Sequence, residues 1–447
     1  MGGFAENGAM KGMRDTIFAL ASAPGRAGVA VVRVSGPACE DVIRRLTRRD
    51  LSAERMAVLR PLFDLSNDER IDVALMLRFV APHSYTGENT VEFQIHGGRA
   101  VQAALFSALA SMPGLRPAEP GEFTRRAVEN GRLDLTQAEA IADLVDAETE
   151  SQRRQAFRQY EGRLAALYEE WRTRLIRAAA WIEAAIDFAD EEIPVDAIAN
   201  SRAELGAIAA EIRAHLDDGR RGEILREGFR VAVIGPPNAG KSSLVNALAQ
   251  RDVAIVSDVP GTTRDVIEVR LDLLGYPVIL SDTAGLRSSE DAIEREGVRR
   301  ARATAETADL RLLLLDGSRD MPGGFAGASE GDDLIVWNKA DLAQARGRAG
   351  LWVSAKSGEG LAELIGLLAA RAAGRLNRGE APVLTRARHR KALEEAEIAL
   401  SAALRTSEPE LAAEHVRMAL RAIGRITGRV DLDELLDVVF RDFCIGK

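Results

Sequence analysis

The chain is short of cysteine, with only Cys39 and Cys444 among 447 residues. That excludes a disulfide framework or a cysteine-based zinc site and leads to the expectation of a reducing, cytoplasmic setting. The five histidines form no metal-ligand pair at helical spacing. No apolar run reaches the ~18 residues that a membrane span needs. The opening stretch MGGFAENGAMKGM lacks a hydrophobic signal core and reads as a disordered extension, so no membrane partner is expected. Positive charge is not in surplus either. A net charge of −9 with 28% charged residues argues against a basic coat for nucleic acid but leaves room for a local basic patch. Proline is nearly missing from Leu135 to Gly228, Pro194 being the exception.

What is present begins with apolar content. At 46% hydrophobic residues the chain can bury real cores, and its length suits about three domains. Residues 15–130 read as mixed α/β, with strand-like runs at Ile17–Ala19, Val29–Val34, Ile71–Val80 and Thr90–Ile95 and a helix after His96-Gly97-Gly98. Arg33 and Glu92, polar residues near strand ends, read from residue type alone as surface or salt-bridged groups. After Gly131 the pattern turns helical. Phe157, Tyr160, Leu164, Leu167 and Trp171 recur at three- and four-residue steps, which predicts one face of a long helix, continued by Leu175, Ile182 and Ile186. Strand and helix patterns alternate from 228 to 373, and helical patterns return from about Thr385. The expected fold is multidomain, α/β plus all-α. A domain at 1–130 precedes a helical domain in two parts, 131–227 and 374–447, which fold as one bundle around an inserted P-loop (Ras-like) domain at 228–373.

The inserted domain carries the chemistry. Val231–Ile234 reads as a buried strand; it runs into Gly235 and then Gly240-Lys241-Ser242, the spacing G-x-x-x-x-G-K-S. Glycines let the backbone wrap a polyphosphate with its N–H groups pointing inward, and the helix that follows aims its positive end at the same place. Lys241 supplies charge to the β- and γ-phosphates and Ser242 an oxygen for magnesium, with Asn238, Ala239 and Ser243 completing the loop. Asn338-Lys339-Ala340-Asp341 follows the strand Leu334–Trp337. The Asp341 carboxylate can accept from both N1–H and the exocyclic amine of guanine, a donor pair adenine lacks. Ser354-Ala355-Lys356 offers a backbone N–H to the guanine carbonyl. Asp282-Thr283-Ala284-Gly285 is placed to hold magnesium through water and to sense the γ-phosphate, and Thr263 in Gly261-Thr262-Thr263 is the switch threonine for magnesium. Four such segments beside the phosphate loop, in their order along the chain, specify GTP. Ras-type enzymes carry a glutamine after the segment that here ends at Gly285, but in this chain the residue is Leu286, which cannot orient water; a slow basal rate is expected unless the carboxylate-rich run Ser288–Glu296 helps.

Nearly end to end, from Asp15-Thr16-Ile17 to Lys447, the sequence resembles the MnmE (TrmE) family of tRNA modification GTPases. Beside the GTPase segments, the resemblance is carried by Pro24-Gly25-Arg26-Ala27-Gly28-Val29, Thr86-Gly87-Glu88, His96-Gly97-Gly98, Pro120-Gly121-Glu122-Phe123-Thr124-Arg125-Arg126-Ala127, Leu133-Asp134-Leu135-Thr136-Gln137-Ala138-Glu139-Ala140-Ile141 and the terminal Cys444-Ile445-Gly446-Lys447. It implies a GTPase that works with an FAD-dependent partner, as a heterotetramer or larger complex. Together they place an aminomethyl or carboxymethylaminomethyl group on C5 of the wobble uridine (position 34) of certain tRNAs. The one-carbon unit comes from 5-formyl- or 5,10-methylene-tetrahydrofolate held by an N-terminal folate-binding domain that also makes the homodimer. The implied folate residues are Arg33, Glu92, Arg132 and Lys447; at 132 the family more usually shows lysine, and arginine keeps the charge with a different fork. The implied potassium ligands are Asn238, Ser257 (threonine in the family), Val259 and Thr262, from a switch segment that also includes Asp258, Pro260 and Gly261 around the GTP. Glu294 is the implied water-positioning residue. Cys444 has two readings: a thiolate that attacks C6 of uridine, or a packed tail residue with no adjacent base to activate it. Arg386, Arg388, Arg390 and Lys391 read either as a tRNA phosphate patch or as a solvated linker end. The alternative reading of the whole chain is a regulatory GTPase acting as a ribosome or RNA assembly factor without modification chemistry.

Overall fold

The computed structural model describes residues 15–187, 195–251, 253–255, 267–282, 306–319, 333–343, 347–376, 382–429, and 436, 439 and 446. The chain divides into two compact units, one made of 1–142 with 427–447 and the other of 143–426. This division is coarser than the four-part expectation, and it places the last 21 residues with the N-terminal unit rather than with the helical bundle.

The first unit is built on a six-stranded sheet of β1 (Thr16–Leu20), β2 (Ala27–Ser35), β3 (Val58–Phe63), β4 (Arg70–Phe79), β5 (Thr90–Gly97) and β6 (Leu115–Pro117), in the order β3-β4-β5-β2-β1-β6. Only β1 and β6 pair in parallel. Alternation does the sorting, as a half-buried strand requires. Val32 and Val34 of β2 and Val91, Phe93 and Ile95 of β5 face helices α1 (Cys39–Thr47) and α2 (Arg99–Ala110), while Ile17 and Ala19 face Phe123 on the other side. Four of these strands were legible. The edge strand β3, interrupted by Arg60 and Pro61, was not, and Pro61 is tolerated there because an edge strand can do without one N–H. Cys39 belongs to this core: burial pushes its thiol up to about 12, so it is a packing group. Helices α3 (Glu122–Glu129) and α4 (Leu135–Asp146) follow. Asp134 starts α4 with a reciprocal cap: its carboxylate accepts from the Gln137 N–H at 2.9 Å and the Gln137 side chain accepts from the Asp134 N–H at 3.1 Å. Leu436 packs on Leu135 and Ala138 of α4.

The second unit contains α5 (Glu150–Tyr160), α6 (Arg163–Asp187), α7 (Val195–Leu216) and α8 (Arg221–Glu227), then the inserted domain, then two further helices. The long helix expected through Phe157, Tyr160 and Trp171 is two helices. The chain breaks at Gly162, whose φ of 81° lies in the left-handed region, and the stripe does not survive the break. Leu164, Trp171, Leu175 and Ile182 of α6 are buried, but Phe157 and Tyr160 of α5 are exposed. The α6 stripe joins α7, α11 (Ala387–Arg405) and α12 (Pro409–Thr427) in one core, so helices from both sides of the insertion share a bundle. Entry and exit of the insertion touch: a Cβ on Gly222 of α8 would collide with the backbone carbonyl of Leu384. Within the bundle His215 lies edge-on to Tyr168 and Trp171, and burial drives its pKa down to about 4, so the ring is neutral.

The inserted domain orders its strands β12-β11-β10-β7-β9-β8, that is β7 (Phe229–Ile234), β8 (Ile267–Leu273), β9 (Tyr276–Asp282), β10 (Leu310–Asp316), β11 (Leu334–Asn338) and β12 (Leu351–Trp352). All neighbours are parallel except the β8–β9 hairpin at the edge. Helices α9 (Lys241–Ala249) and α10 (Leu361–Leu376) help cover it. The C-terminal ends of β7, β9, β10 and β11 thus converge where an open parallel sheet places its ligand.

Candidate functional site

The loop from Gly235 to Gly240 leaves β7 and enters α9 with Gly240 as the N-cap at φ 94°. Two of its glycines are required by close approach as well as by dihedral. A Cβ at Gly235 (φ 152°) would strike the Leu314 carbonyl of β10, and one at Gly240 would strike the Asn338 amide. Asn338, 2% exposed, ties the two motifs together: its amide donates to the Ala239 carbonyl at 2.8 Å, and its side-chain oxygen accepts from the Ala355 N–H at 3.1 Å. One asparagine therefore fixes phosphate loop, base-reading loop and the segment after β12 as a single frame.

Lys241 is buried and its ammonium donates to the carbonyls of Gly235 at 2.9 Å and Pro236 at 3.1 Å, so it lies folded inside the loop it is expected to serve. Burial lowers its pKa and the nearby Asp282 carboxylate opposes that shift. Asp282, 1% exposed, ends β9 in register with Val233. Ser242 and Ser243 stand exposed in the first turn of α9. The loop fits a polyphosphate in donor class: it ends on the N-terminus of α9, carries one ammonium, and packs so closely against β10 and Asn338 that Gly235 and Gly240 admit no Cβ. It fits magnesium in donor class, with the Ser242 hydroxyl and the Asp282 carboxylate, and Asn238, exposed at φ 63°, offers the oxygen class an alkali ion takes.

The base-reading side is equally ordered. Asp341 accepts a hydrogen bond from the Ser354 hydroxyl at 2.6 Å, and the Ser354 oxygen in turn accepts from the Ser357 N–H at 3.1 Å. Lys339 adopts φ 62° and pairs with Asp316 at 2.6 Å, a partner sequence reasoning missed because it lies at the end of β10 and in no motif. Ala355 and Lys356 follow Ser354 in the same loop. Ser257, Asp258, Val259, Pro260, Gly261, Thr262, Thr263, Thr283, Ala284, Gly285, Leu286 and Glu294 lie outside the described residues.

In the first unit, Arg33 on β2 and Glu92 on β5 are register partners joined by a 2.9 Å ion pair. The Arg33 guanidinium lies over Tyr85, 4.9 Å from the ring centroid, and over Phe123 at 5.6 Å. Arg132 passes beside Gly87, where a Cβ would crowd its side chain. Cys444 and Lys447 are outside the described residues, but Gly446 is inside. A Cβ there would collide with the Leu20 carbonyl, so Gly446 lies against β1, the strand next to the one that carries Arg33. The motif signal for glycine at 446 was therefore a close approach.

The same unit holds a buried network that residue type and spacing did not reveal. Arg126, 4% exposed, donates to Glu88 at 3.0 Å, to Glu122 at 2.9 Å and to the Asp15 carbonyl at 2.9 Å. Glu122 also takes a bidentate pair from Arg116 at 2.8 and 2.7 Å. The segments Thr86–Glu88 and Pro120–Ala127 are thus tied by charge before they touch any ligand.

Arg386, Arg388, Arg390 and Lys391, read as either a tRNA phosphate patch or a solvated linker end, do not form a free surface. Arg390 pairs with Asp218 at 2.7 Å and Glu223 at 2.8 Å, Arg386 with Asp143 at 2.6 Å, and Arg388 donates to the carbonyls of Arg425 and Ile426. Only Lys391 is exposed. Carboxylates more than 150 positions away in sequence had already claimed Arg386 and Arg390.

Two family models match the chain: the GTP-binding protein TrmE N-terminus over residues 16–132 and the MnmE helical domain over residues 135–444. Among curated relatives, the tRNA modification GTPase MnmE of Parvibaculum lavamentivorans is 56% identical over 438 residues, 97% of this chain and 100% of that one. That of Paramagnetospirillum magneticum is 54% identical over 443 residues, again 97% and 100%. Among solved structures, the G domain of the T. maritima FeoB iron transporter aligns at 25% identity over 33% of this chain and 98% of that chain, with a TM-score of 0.24, too low to carry an argument.

Proposed function

The chain belongs to the tRNA modification GTPase MnmE family, and from that premise we propose that it hydrolyses GTP to drive modification of the wobble uridine of certain tRNAs. The observation that supports this most is the Asn338 frame, which rigidly joins a phosphate loop to a guanine-reading carboxylate inside a domain spliced into a helical bundle. Asn238, Ala239, Lys241 and Ser243 hold the phosphates, Asp341 selects guanine, and Ser242 and Asp282 hold magnesium, with Thr263 joining from the switch. Magnesium and potassium, when bound, neutralise charge that develops on the transferring phosphoryl oxygens. On this chain the potassium oxygens are assigned to Asn238, Ser257, Val259 and Thr262, and Glu294 is the residue that orients water. Arg33, Glu92, Arg132 and Lys447 are assigned to a tetrahydrofolate whose one-carbon unit is transferred. The protein acts in the cytoplasm as a homodimer with an FAD-dependent partner.

Mass analysis of wobble nucleosides tests the reading. Cells lacking the chain are expected to lose the C5 substituent at uridine 34, wild-type chain to restore it, and Lys241→Ala not to restore it. Unchanged nucleosides in the deletion strain would instead favour the assembly-factor reading. A second expectation concerns the alkali ion: the GTPase rate of the purified protein falls at least about tenfold when sodium replaces potassium, because a displaced cation leaves transition-state charge unanswered. Equal rates in both salts remove the ligand set around Asn238.

A further inference from the structure

Helix α5 is inside out. Its buried positions are Gln152, Ala156 and Gln159, and the glutamines are there to be bonded: Gln152 donates to the Arg226 carbonyl at 3.0 Å, and Gln159 accepts from the Thr385 hydroxyl at 2.9 Å. Its large aromatics face outward. Phe157 is 44% exposed and Tyr160 39%, with ring centroids 6.3 Å apart. A helix placed only for core packing would put these rings where the glutamines are.

The segment is also basic. From Glu150 to Arg163 there are four arginines against two glutamates, in a chain whose net charge is −9. Arg153 and Arg154 share the one carboxylate of Glu150. Arg158 and Arg163 make no ion pair among the described residues. A groove of about 310 Å³ beside the helix has Arg154, Arg158 and Arg221 in its lining against the single carboxylate of Glu150. A second, smaller depression shares Gln155, Arg158 and Val383 with it and is also bordered by Arg163. Exposed rings and uncommitted guanidiniums carried on one segment are the two parts a single-stranded nucleic acid needs: charge along its phosphates and flat apolar faces for its unstacked bases. The cluster at Arg386–Lys391 lacks both, its arginines being engaged internally.

We propose that the outer side of α5 and the start of α6, with Phe157 and Tyr160 as stacking platforms and Arg158 and Arg163 as phosphate contacts, is the surface on which this chain holds an unpaired loop of its tRNA. This rests on the reading of tRNA as substrate. The test is fluorescence anisotropy of an unmodified tRNA transcript bound to the full-length protein across a salt series. Arg158→Ala with Arg163→Ala is expected to weaken binding about tenfold or more and to lower the salt slope by about 1.4 to 1.8, two phosphates' worth. Phe157→Ala with Tyr160→Ala is expected to weaken it about tenfold or more with the slope unchanged, since stacking releases no counterions. Arg158→Lys with Arg163→Lys should keep the slope. Basal GTPase activity should be unchanged in all three, which also reports that they fold. Wild-type binding that none of these variants alters overturns the surface and leaves the tRNA reading standing; wild-type protein that binds no tRNA overturns both. Lost binding of the flavoprotein partner with intact tRNA affinity makes this a protein-docking face and overturns the RNA assignment.

Discussion

Asp341→Asn is expected to lower GTP affinity by about 10²- to 10⁴-fold, because two hydrogen bonds to a charged acceptor are worth about 3–6 kcal/mol together. The carboxylate is not free to compensate by moving: Ser354 holds one of its oxygens at 2.6 Å, and Ser354 is itself fully buried and held by the Ser357 N–H. Asparagine in that place presents an amide N–H where the guanine N1–H and amine need acceptors, so the loss is a repulsion as well as an absence. The same amide suits xanthine, which carries a carbonyl where guanine carries its amine. Calorimetric titration should therefore show GTP binding lost and xanthosine triphosphate binding gained, with the phosphate loop untouched. Equal loss of both nucleotides would mean that the substitution had disturbed the frame around Asn338 rather than the reading of the base.

The inserted domain was legible because its signals are local. A strand, a glycine that must admit a neighbouring carbonyl, and a helix that starts on Lys241 are consecutive in sequence, and the collisions a Cβ would make at Gly235 and Gly240 explain why those letters are fixed. Arg33 and Glu92 were legible only as surface or salt-bridged groups; that they pair with each other, and that two rings lie beneath the guanidinium, were not, since Glu92, Tyr85 and Phe123 arrive from separate segments. The failures share one cause. Periodicity could not show that Gly162 turns the stripe, so Phe157 and Tyr160 were assigned to a core they do not enter. Charge type could not show that Arg390 and Arg386 were already paired by Asp218, Glu223 and Asp143 from distant positions. Where a residue's role depends on partners far along the chain, its letter and its spacing carry little information about it.

The Arg126 network makes the same point with the larger consequence for stability. Arg126→Ala removes the one cation between two carboxylates, Glu88 and Glu122, and leaves an orphaned Asp15 carbonyl; breaking such a buried set by deleting one partner costs about 3–5 kcal/mol. The loss falls on the first unit, while all four tryptophans, at 171, 181, 337 and 352, belong to the second, so fluorescence is the wrong observer. Amide hydrogen exchange in β1 and α3 is the right one, and protection there should fall by about 10²- to 10³-fold at neutral pH. The acid limb gives an independent check. Burial works to raise the Glu122 pKa, but hydrogen bonds from Arg116, the Glu119 N–H and Arg126 outweigh it and hold the carboxyl below its ordinary value. A carboxylate depressed on folding stabilises the native state above its unfolded pKa, and that contribution is lost as pH falls through the folded one. The wild type should therefore lose protection on acidification more steeply than Arg126→Ala, which has less of this contribution left to lose. Because Tyr85 and Phe123 sit on the two segments that Arg126 ties together, and the Tyr85 hydroxyl bonds Thr124 at 2.7 Å, the variant should also lose the ring pair that supports Arg33. Unchanged exchange in β1 and α3 would mean that the glutamates take up water and the network contributes nothing to holding that pocket in shape.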